Sequence, residues 1–167
     1  DILDQNGFEG YAVGGCVRDC ILGREPKDWD ITTNALPQQV KALFNRTIDT
    51  GIKHGTVTVM MNHIGYEVTT YRIDGEYKDC RHPEKVEFTP DLKNDLARRD
   101  FTINALAYNP DTGIVDLYGG QDDIYNSIIR TVGDAHVRFN EDGLRIMRAL
   151  RFSAVLGFTI EEETRKA

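Results

Sequence analysis

Cysteine is scarce in this sequence. Cys16, Cys20 and Cys80 are spread over 167 positions. So sparse and odd a set excludes a disulfide framework, and the four histidines (His54, His63, His82, His136) lack the spacing of a zinc site. Long apolar runs are missing as well; none approaches the roughly 18 residues of a membrane span. The first residues lack the charged, apolar and small-residue order of a secretory leader. A cytoplasmic location with no membrane partner is therefore expected. Positive charge is short: 20 Lys and Arg stand against 27 Asp and Glu, a net charge of −7. That balance argues against a basic surface tracking nucleic acid. Any nucleic-acid chemistry must then rest on a local cluster, with the main gripping surface elsewhere. Internal repeats and low-complexity tracts are also absent.

What is present is ordinary for a globular protein: 40% apolar and 28% charged residues. The length suits one domain, or one domain and part of another. Short strands are expected at 11–13 and 29–33, and helices at 16–22 and 37–44, the second with Pro37 in its first turn. The β-rich runs 56–61 and 64–71, joined by Asn62-His63, read as a hairpin. Residues 72–92 are charged, hold two prolines and read as a long loop. A helical segment is expected over 95–106, strands flank the turn at 109–113, and a short helix (121–126) and strand (128–132) follow. After Gly133 the character becomes helical, with a strong helix at 141–156 closed by Gly157. Thr159 and Glu162 have the spacing of a capping box that opens another helix. That helix breaks off at Ala167, and residues 1–6 read as a helix tail. Chain is expected on both sides of this sequence, with a boundary near Gly133.

Five elements carry chemistry. Gly14-Gly15 lies between a strand and a helix, where backbone can approach a phosphate closely and a helix N-terminus offers free N–H groups. Asp28-Trp29-Asp30 places two carboxylates on one strand face; such a pair can share divalent cations. With seventeen aspartates, about two such pairs arise by chance, so the spacing alone decides little. Glu67, on an expected neighbouring strand, offers a third carboxylate, or else a surface charge. In the run Arg98-Arg99-Asp100-Phe101-Thr102-Ile103-Asn104, arginines suit forked phosphate contacts. Asn104, four residues after Asp100 on the expected helix, could meet a ribose hydroxyl. Finally, Asp142, Arg145, Arg148 and Arg151 recur every three residues along one helix stripe, with Ile146, Leu150 and Ala154 as its buried side. An Asp–Arg pair has the donors and acceptors to read a base edge. The plain alternative is a solvated face with internal ion pairs.

Taken in this order, the segments resemble class II CCA-adding enzymes and the related bacterial poly(A) polymerases. The resemblance runs through Val13-Gly14-Gly15-Cys16-Val17-Arg18-Asp19, Asp28-Trp29-Asp30, Glu67 in Glu-Val-Thr-Thr-Tyr-Arg, Arg98 to Asn104, Asp116-Leu117-Tyr118-Gly119-Gly120, and Glu141 to Phe152. It implies an α+β fold: a nucleotidyltransferase head on a small, mostly antiparallel mixed sheet with flanking helices (1–133), then the start of an all-helical neck (134–167). It implies template-independent addition of C and A to a tRNA 3′ end from CTP and ATP. Asp28 and Asp30 look like ligands of two Mg²⁺ ions, with Mn²⁺ a chemically suited substitute and Glu67 as the third catalytic carboxylate. Gly14, Gly15, Arg18 and Arg99 look like triphosphate and sugar contacts, with Asp100 and Asn104 near the ribose. Asp142 and Arg145 look like the base-reading pair, supported by Arg148 and Arg151. The charged loop resembles one kept by family members that add the final A; Cys80 within it is given no role. Poly(A) polymerase, an A-only enzyme and a non-catalytic nucleotide- or RNA-binding module are the alternatives.

Overall fold

The computed structural model describes residues 2–75 and 86–167. The chain opens with α1 (Ile2–Gln5), β1 (Gly10–Val13), α2 (Gly15–Ile21), β2 (Asp30–Thr33) and α3 (Pro37–Leu43). Then come β3 (Thr47–Gly51), β4 (Thr56–Met61) and β5 (Ile64–Thr70). Asn62 and His63 both take positive φ, 50° and 66°, between β4 and β5. Two such residues make the turn whose twist matches the strands it joins. The hairpin read from the sequence is therefore present, with Met61 opposite Ile64. The strand β3 was not expected; its Ile-Asp-Thr stretch has one apolar residue and too little alternation to register.

The expected loop at 72–92 is shorter than read. Its ends pair as β6 (Arg72–Asp74) and β7 (Val86–Phe88), antiparallel. The middle of that loop, with Cys80, lies outside the described residues. The helix expected over 95–106 is also corrected. A short α4 (Leu92–Ala97) is capped by Asp91, whose side chain accepts from Lys93 N. A single 3₁₀ turn follows at Thr102–Asn104, and Leu106 already belongs to β8 (Leu106–Asn109). β8 makes a hairpin with β9 (Gly113–Asp116), and α5 (Gly120–Tyr125) and β10 (Ile128–Ile129) follow. Asp116 accepts from the backbone N–H groups of Gly120 and Gln121, each at 2.9 Å, which fixes the turn leading into α5.

The helix expected over 141–156 is present as α7 (Leu144–Leu156), starting three residues later; a separate α6 (Ala135–Glu141) precedes it, with Asp142-Gly143 between the two. Asp142 is extended (φ −143°, ψ 103°) and accepts from Leu144 N at 2.9 Å. It therefore starts α7 and does not sit on its face. Gly157, at φ 73°, closes α7 as read. The last part is not all helical: β11 (Thr159–Ile160) pairs in parallel with β10 across the expected boundary. Thr159 is thus a strand residue, and Glu161 caps α8 (Glu162–Lys166) by accepting from Thr164 N.

Seven strands form one sheet in the order β3-β4-β5-β2-β1-β8-β9. Only β2 and β5 run parallel; the other neighbours are antiparallel. This is the mostly antiparallel mixed sheet that the resemblance implied. Alternation gives the two faces different work. Ile31, Val57, Val59 and Val68 point to one side, against α1 and α3. On the same side, Leu106 packs with Cys16, Val17, Ile103 and Ile124 against Phe101, Phe139, Ala149 and Phe158. That core takes residues from both sides of Gly133. The opposite face carries Asp30 beside Glu67 and Thr32 beside Thr69 in register, and Val13 with Leu96 of α4 closes part of it.

Candidate active site

The site lies where β1 turns into α2. Gly14 stands at φ 81°, ψ −129°, a region essentially closed to residues with a side chain. A Cβ there would come within 3.1 Å of Arg99 Nη1. The first glycine is thus required twice, by its backbone angle and by the close passage of a guanidinium. α2 has only seven residues, so the arginines beside the turn supply its positive charge, rather than a helix dipole.

Asp28 is in the bend before β2 and Asp30 is the first residue of the strand, so the pair does not share one strand as expected. The two carboxylates are nonetheless close enough to act on each other. Crowding by protein pushes the Asp30 carboxyl above the ordinary carboxylate range; Arg99 pulls it back and Asp28 adds to the rise. Both residues stay open to solvent. Glu67 is the direct register partner of Asp30 on β5 and is also exposed. Among the described residues no group of three or more acidic, histidine or cysteine side chains converges on a metal position. A like-charged carboxylate pair calls for a counter-cation, and Mg²⁺ usually takes one or two carboxylates and fills its other positions with water and substrate phosphate. Asp28 and Asp30 fit that requirement; Glu67 stands beside Asp30 in register.

Behind the turn is a chain of polar groups built on buried Arg18, Asn104 and Asp100. Arg18 is buried; its Nη1 donates to Asn104 Oδ1 at 2.6 Å and its Nε to Asp19 Oδ1 at 2.9 Å. Asn104 Nδ2 donates to Asp100 Oδ1 at 3.2 Å, and Arg148 Nε donates to Asp100 Oδ2 at 2.7 Å. Asp100 and Asn104, read as neighbours on one helix, are instead brought together by the 3₁₀ turn and bond to each other. Phe152 completes the group: the Arg18 guanidinium lies 5.1 Å and that of Arg148 5.2 Å from its ring centre, and Phe101 meets it edge-on at 5.9 Å. This ties α2, the 3₁₀ turn and α7 together. Phe152 was not singled out from the sequence, although it stands four residues after Arg148, the spacing of a helix neighbour.

The base-reading pair is not displayed as expected. Arg145 is 6% exposed. Its Nη1 donates to Glu141 Oε2 at 2.6 Å and to the Arg138 carbonyl at 3.0 Å, and its Nη2 to the Arg98 carbonyl at 3.3 Å. Asp142 caps α7. The inner side of α7 is Arg145, Ala149 and Phe152, whereas Ile146, Leu150 and Ala154, expected to be buried, are exposed. Arg148 and Arg151 are exposed on the same helix.

A second residue missed from the sequence is Asp95. It is 0% exposed and touches both adjacent arginines: Arg98 Nε and Nη2 lie 3.0 and 2.9 Å from Oδ1, and Arg99 Nη2 lies 3.2 Å from Oδ2. Thr32 Oγ1 lies 3.1 Å from Oδ2 and shares its one proton between it and the Thr69 carbonyl at 3.2 Å. Burial alone would raise this carboxyl, but Arg98 and Arg99 hold it below the ordinary range. The signal was its position three and four residues before the arginines, which puts all three on one helical face.

The chain is similar to known proteins over nearly its whole length. The Poly A polymerase head domain model matches residues 10–130. The CCA-adding enzyme of Leuconostoc mesenteroides is 54% identical over 165 residues, covering 99% of this chain and 41% of the relative; that of Oceanobacillus iheyensis is 56% identical with the same coverage. The crystal structure of the Bacillus stearothermophilus CCA-adding enzyme in complex with CTP superposes with a TM-score of 0.91 at 48% identity, over 99% of this chain and 40% of that one. A tRNA nucleotidyltransferase complexed with a primer tRNA and an incoming ATP analog gives 0.77 at 33% identity, over 99% and 47%. The chain thus spans about two-fifths of the length of the curated relatives it matches. With a glycine turn, a carboxylate pair and paired arginines set on one sheet, and the family model matched across 10–130, the chain belongs to the Poly A polymerase head domain family.

Proposed function

We propose that this chain is the catalytic head of a template-independent RNA nucleotidyltransferase that adds C and A to the 3′ end of tRNA, with CTP and ATP as substrates and pyrophosphate as the leaving product. The observation that carries the reading is the juxtaposition of Arg99 with the Gly14 turn on one side and with Asp30 on the other. Phosphate-binding and metal-binding groups then meet around one point, as phosphoryl transfer demands. The names of the relatives support the substrates: one is in complex with CTP, another with a primer tRNA and an ATP analog.

In this reading Asp28 and Asp30 hold two Mg²⁺ ions, with Mn²⁺ able to serve on the same oxygen ligands, and Glu67 is the flanking carboxylate. Bound divalent metal lowers the pKa of the RNA 3′-hydroxyl and neutralises charge on the leaving pyrophosphate. The protein's own part is positioning. Gly14 and Gly15 let the triphosphate approach the backbone, and Arg99 and Arg18 face its charge. Asp100 and Asn104 brace Arg18 and Arg148; they meet a ribose directly only when those bonds open. Asp142 and Arg145 read the base edge after leaving their caps and carbonyls, with Arg148 and Arg151 beside them. Cytosine and adenine each present an amino donor next to a ring nitrogen, so one such pair serves both. A small rotation switches the choice. Among the described residues no helix is long and apolar enough to cross a membrane, which suits an enzyme of the cytoplasm.

The test is extension by the full-length parent protein of tRNAs ending before CCA, after C and after CC, with CTP, ATP or both and Mg²⁺. Addition that stops at CCA and disappears in Asp28→Ala is expected. Long A tails would mark a poly(A) polymerase, A added only after CC an A-only enzyme, and no extension a binding module. An Asp142→Ala enzyme that still selects C and A correctly would remove the base-reading role.

A further inference from the structure

The two adjacent arginines are used differently. Arg98 is spent: both Nε and Nη2 close on a single oxygen of Asp95, and Nη1 lies 3.8 Å from Asp74. Arg99 gives Asp95 one nitrogen, Nη2. Its Nη1 stands beside the Gly14 turn, and its buried Nε has no hydrogen-bond partner. A buried donor left unpaired is costly, but Nε is closed off from solvent; the donor placed to meet something that arrives from outside is Nη1, at the Gly14 turn. The partner that fits a half-used guanidinium at a glycine turn is a phosphate oxygen.

We propose that Asp95 is a positioning residue that divides the labour of the pair: Arg98 is its counter-ion, and Arg99 is held at one corner with Nη1 available to the triphosphate. The proposal rests on the nucleotidyltransferase reading above and deepens it. Four further features fit. Asp95 has no exposed surface, so it cannot itself meet substrate. Its second oxygen is fixed by Thr32, two residues along β2 from Asp30, which ties the Arg99 anchor to the strand that bears the carboxylate pair. The Arg72 backbone N–H also approaches the first oxygen at 3.4 Å. Burial pulls the Arg99 guanidinium down from its ordinary value and the Asp95 carboxylate supports its charge.

The experiment uses the full-length parent in tRNA extension, with inorganic tripolyphosphate and cytidine monophosphate as competing probes. Asp95→Asn is expected to raise the KM for CTP and for ATP alike by about tenfold, the worth of one charge-assisted hydrogen bond. Inhibition by tripolyphosphate weakens by the same factor, while inhibition by the monophosphate and the ratio of C to A incorporation stay as in the parent. In an Arg99→Ala background Asp95→Asn adds no further loss of triphosphate affinity, since the group it positions is gone. A merely structural role would lower the active fraction without separating tripolyphosphate from monophosphate. Unchanged KM values, or losses that multiply in the double variant, overturn the proposal. Should Asp95→Asn fail to fold, Thr32→Val removes one donor to Asp95, and a KM rise of about threefold is expected from the loss of a neutral hydrogen bond; a folded Thr32→Val with parental KM overturns it equally. A parent that extends no tRNA takes down the functional reading and this proposal together, whereas an active parent with an indifferent Asp95→Asn removes only the positioning role.

Discussion

Substituting Gly14 by alanine tests the centre of the site with one methyl group. The backbone angles, φ 81° and ψ −129°, are strained for any residue with a Cβ, which costs about 1–3 kcal/mol. The added carbon meets Arg99 Nη1 at 3.1 Å and the Asn104 carbonyl at 3.7 Å. The second contact is ordinary; the first is tight. Arg99 cannot simply swing away, because its other terminal nitrogen is bound to Asp95 at 3.2 Å. The guanidinium must shift by a few tenths of an ångström and loosen that bond. Two losses are therefore expected from Gly14→Ala. Urea unfolding should give a stability lower by about 1–3 kcal/mol, the strain term, and CTP and ATP affinity, read by equilibrium binding, should fall together. A variant as stable as the parent and binding nucleotide equally well would refute both the strain and the proximity of Arg99 to the turn.

Asp100→Asn should cost about 1.5–3 kcal/mol in urea unfolding, because it removes the charged acceptor of Arg148 at 2.7 Å; a loss under half a kcal/mol would show that the bond is idle. His63→Gly should stabilise the chain by about 1 kcal/mol, since the left-handed φ of 66° is a strain for histidine and free for glycine; the unfolding midpoint reports it, and a lower midpoint would contradict the turn geometry. Acid should destabilise the fold partly through Asp95. Its folded pKa is lowered by Arg98 and Arg99, so the unfolded state takes up protons first and stability rises with pH. That contribution is complete above the ordinary aspartate value of about 3.9 and is lost as pH falls below it through the folded value. Unfolding free energies of Asp95→Asn should therefore decline less steeply below about pH 4 than those of the parent; equal slopes would show that Asp95 is not held down.

Most strands could be read from the residues because each carries its own local signal. Asn62-His63 between two β-rich runs made a hairpin, and Gly157 ended a helix. The glycine pair, the two aspartates and the paired arginines were visible because their chemistry depends on residue type and short spacing, and such features survive without a structure. Errors fell where a periodic pattern met a local break. Asp142-Gly143 delays the start of the helix read over 141–156, because an aspartate that accepts from its own backbone two residues on competes with helix continuation. Within α7, Ala149 and Phe152 face inward and Ile146 and Leu150 outward, the reverse of the apolar side read from the sequence. The run 95–106 has helical periodicity, yet Phe101 pairs across to Thr131 and the chain leaves the helix to reach β8.

By itself, then, the sequence determined which chemistry the chain carries: carboxylates for cations, glycines for close approach, arginines for phosphate. Tertiary structure alone decided how those groups are used. Sheet register set Glu67 beside Asp30, and α4 buried Asp95 between two arginines. Packing of α7 closed Phe152 between Arg18 and Arg148. Glu67 with Asp30 and Phe152 with Arg18 join residues tens of positions apart, which no local pattern specifies; where charge is buried, as at Asp95 and Arg18, a carboxylate or guanidinium that leaves water must find a partner, and only the folded chain determines which partner is within reach.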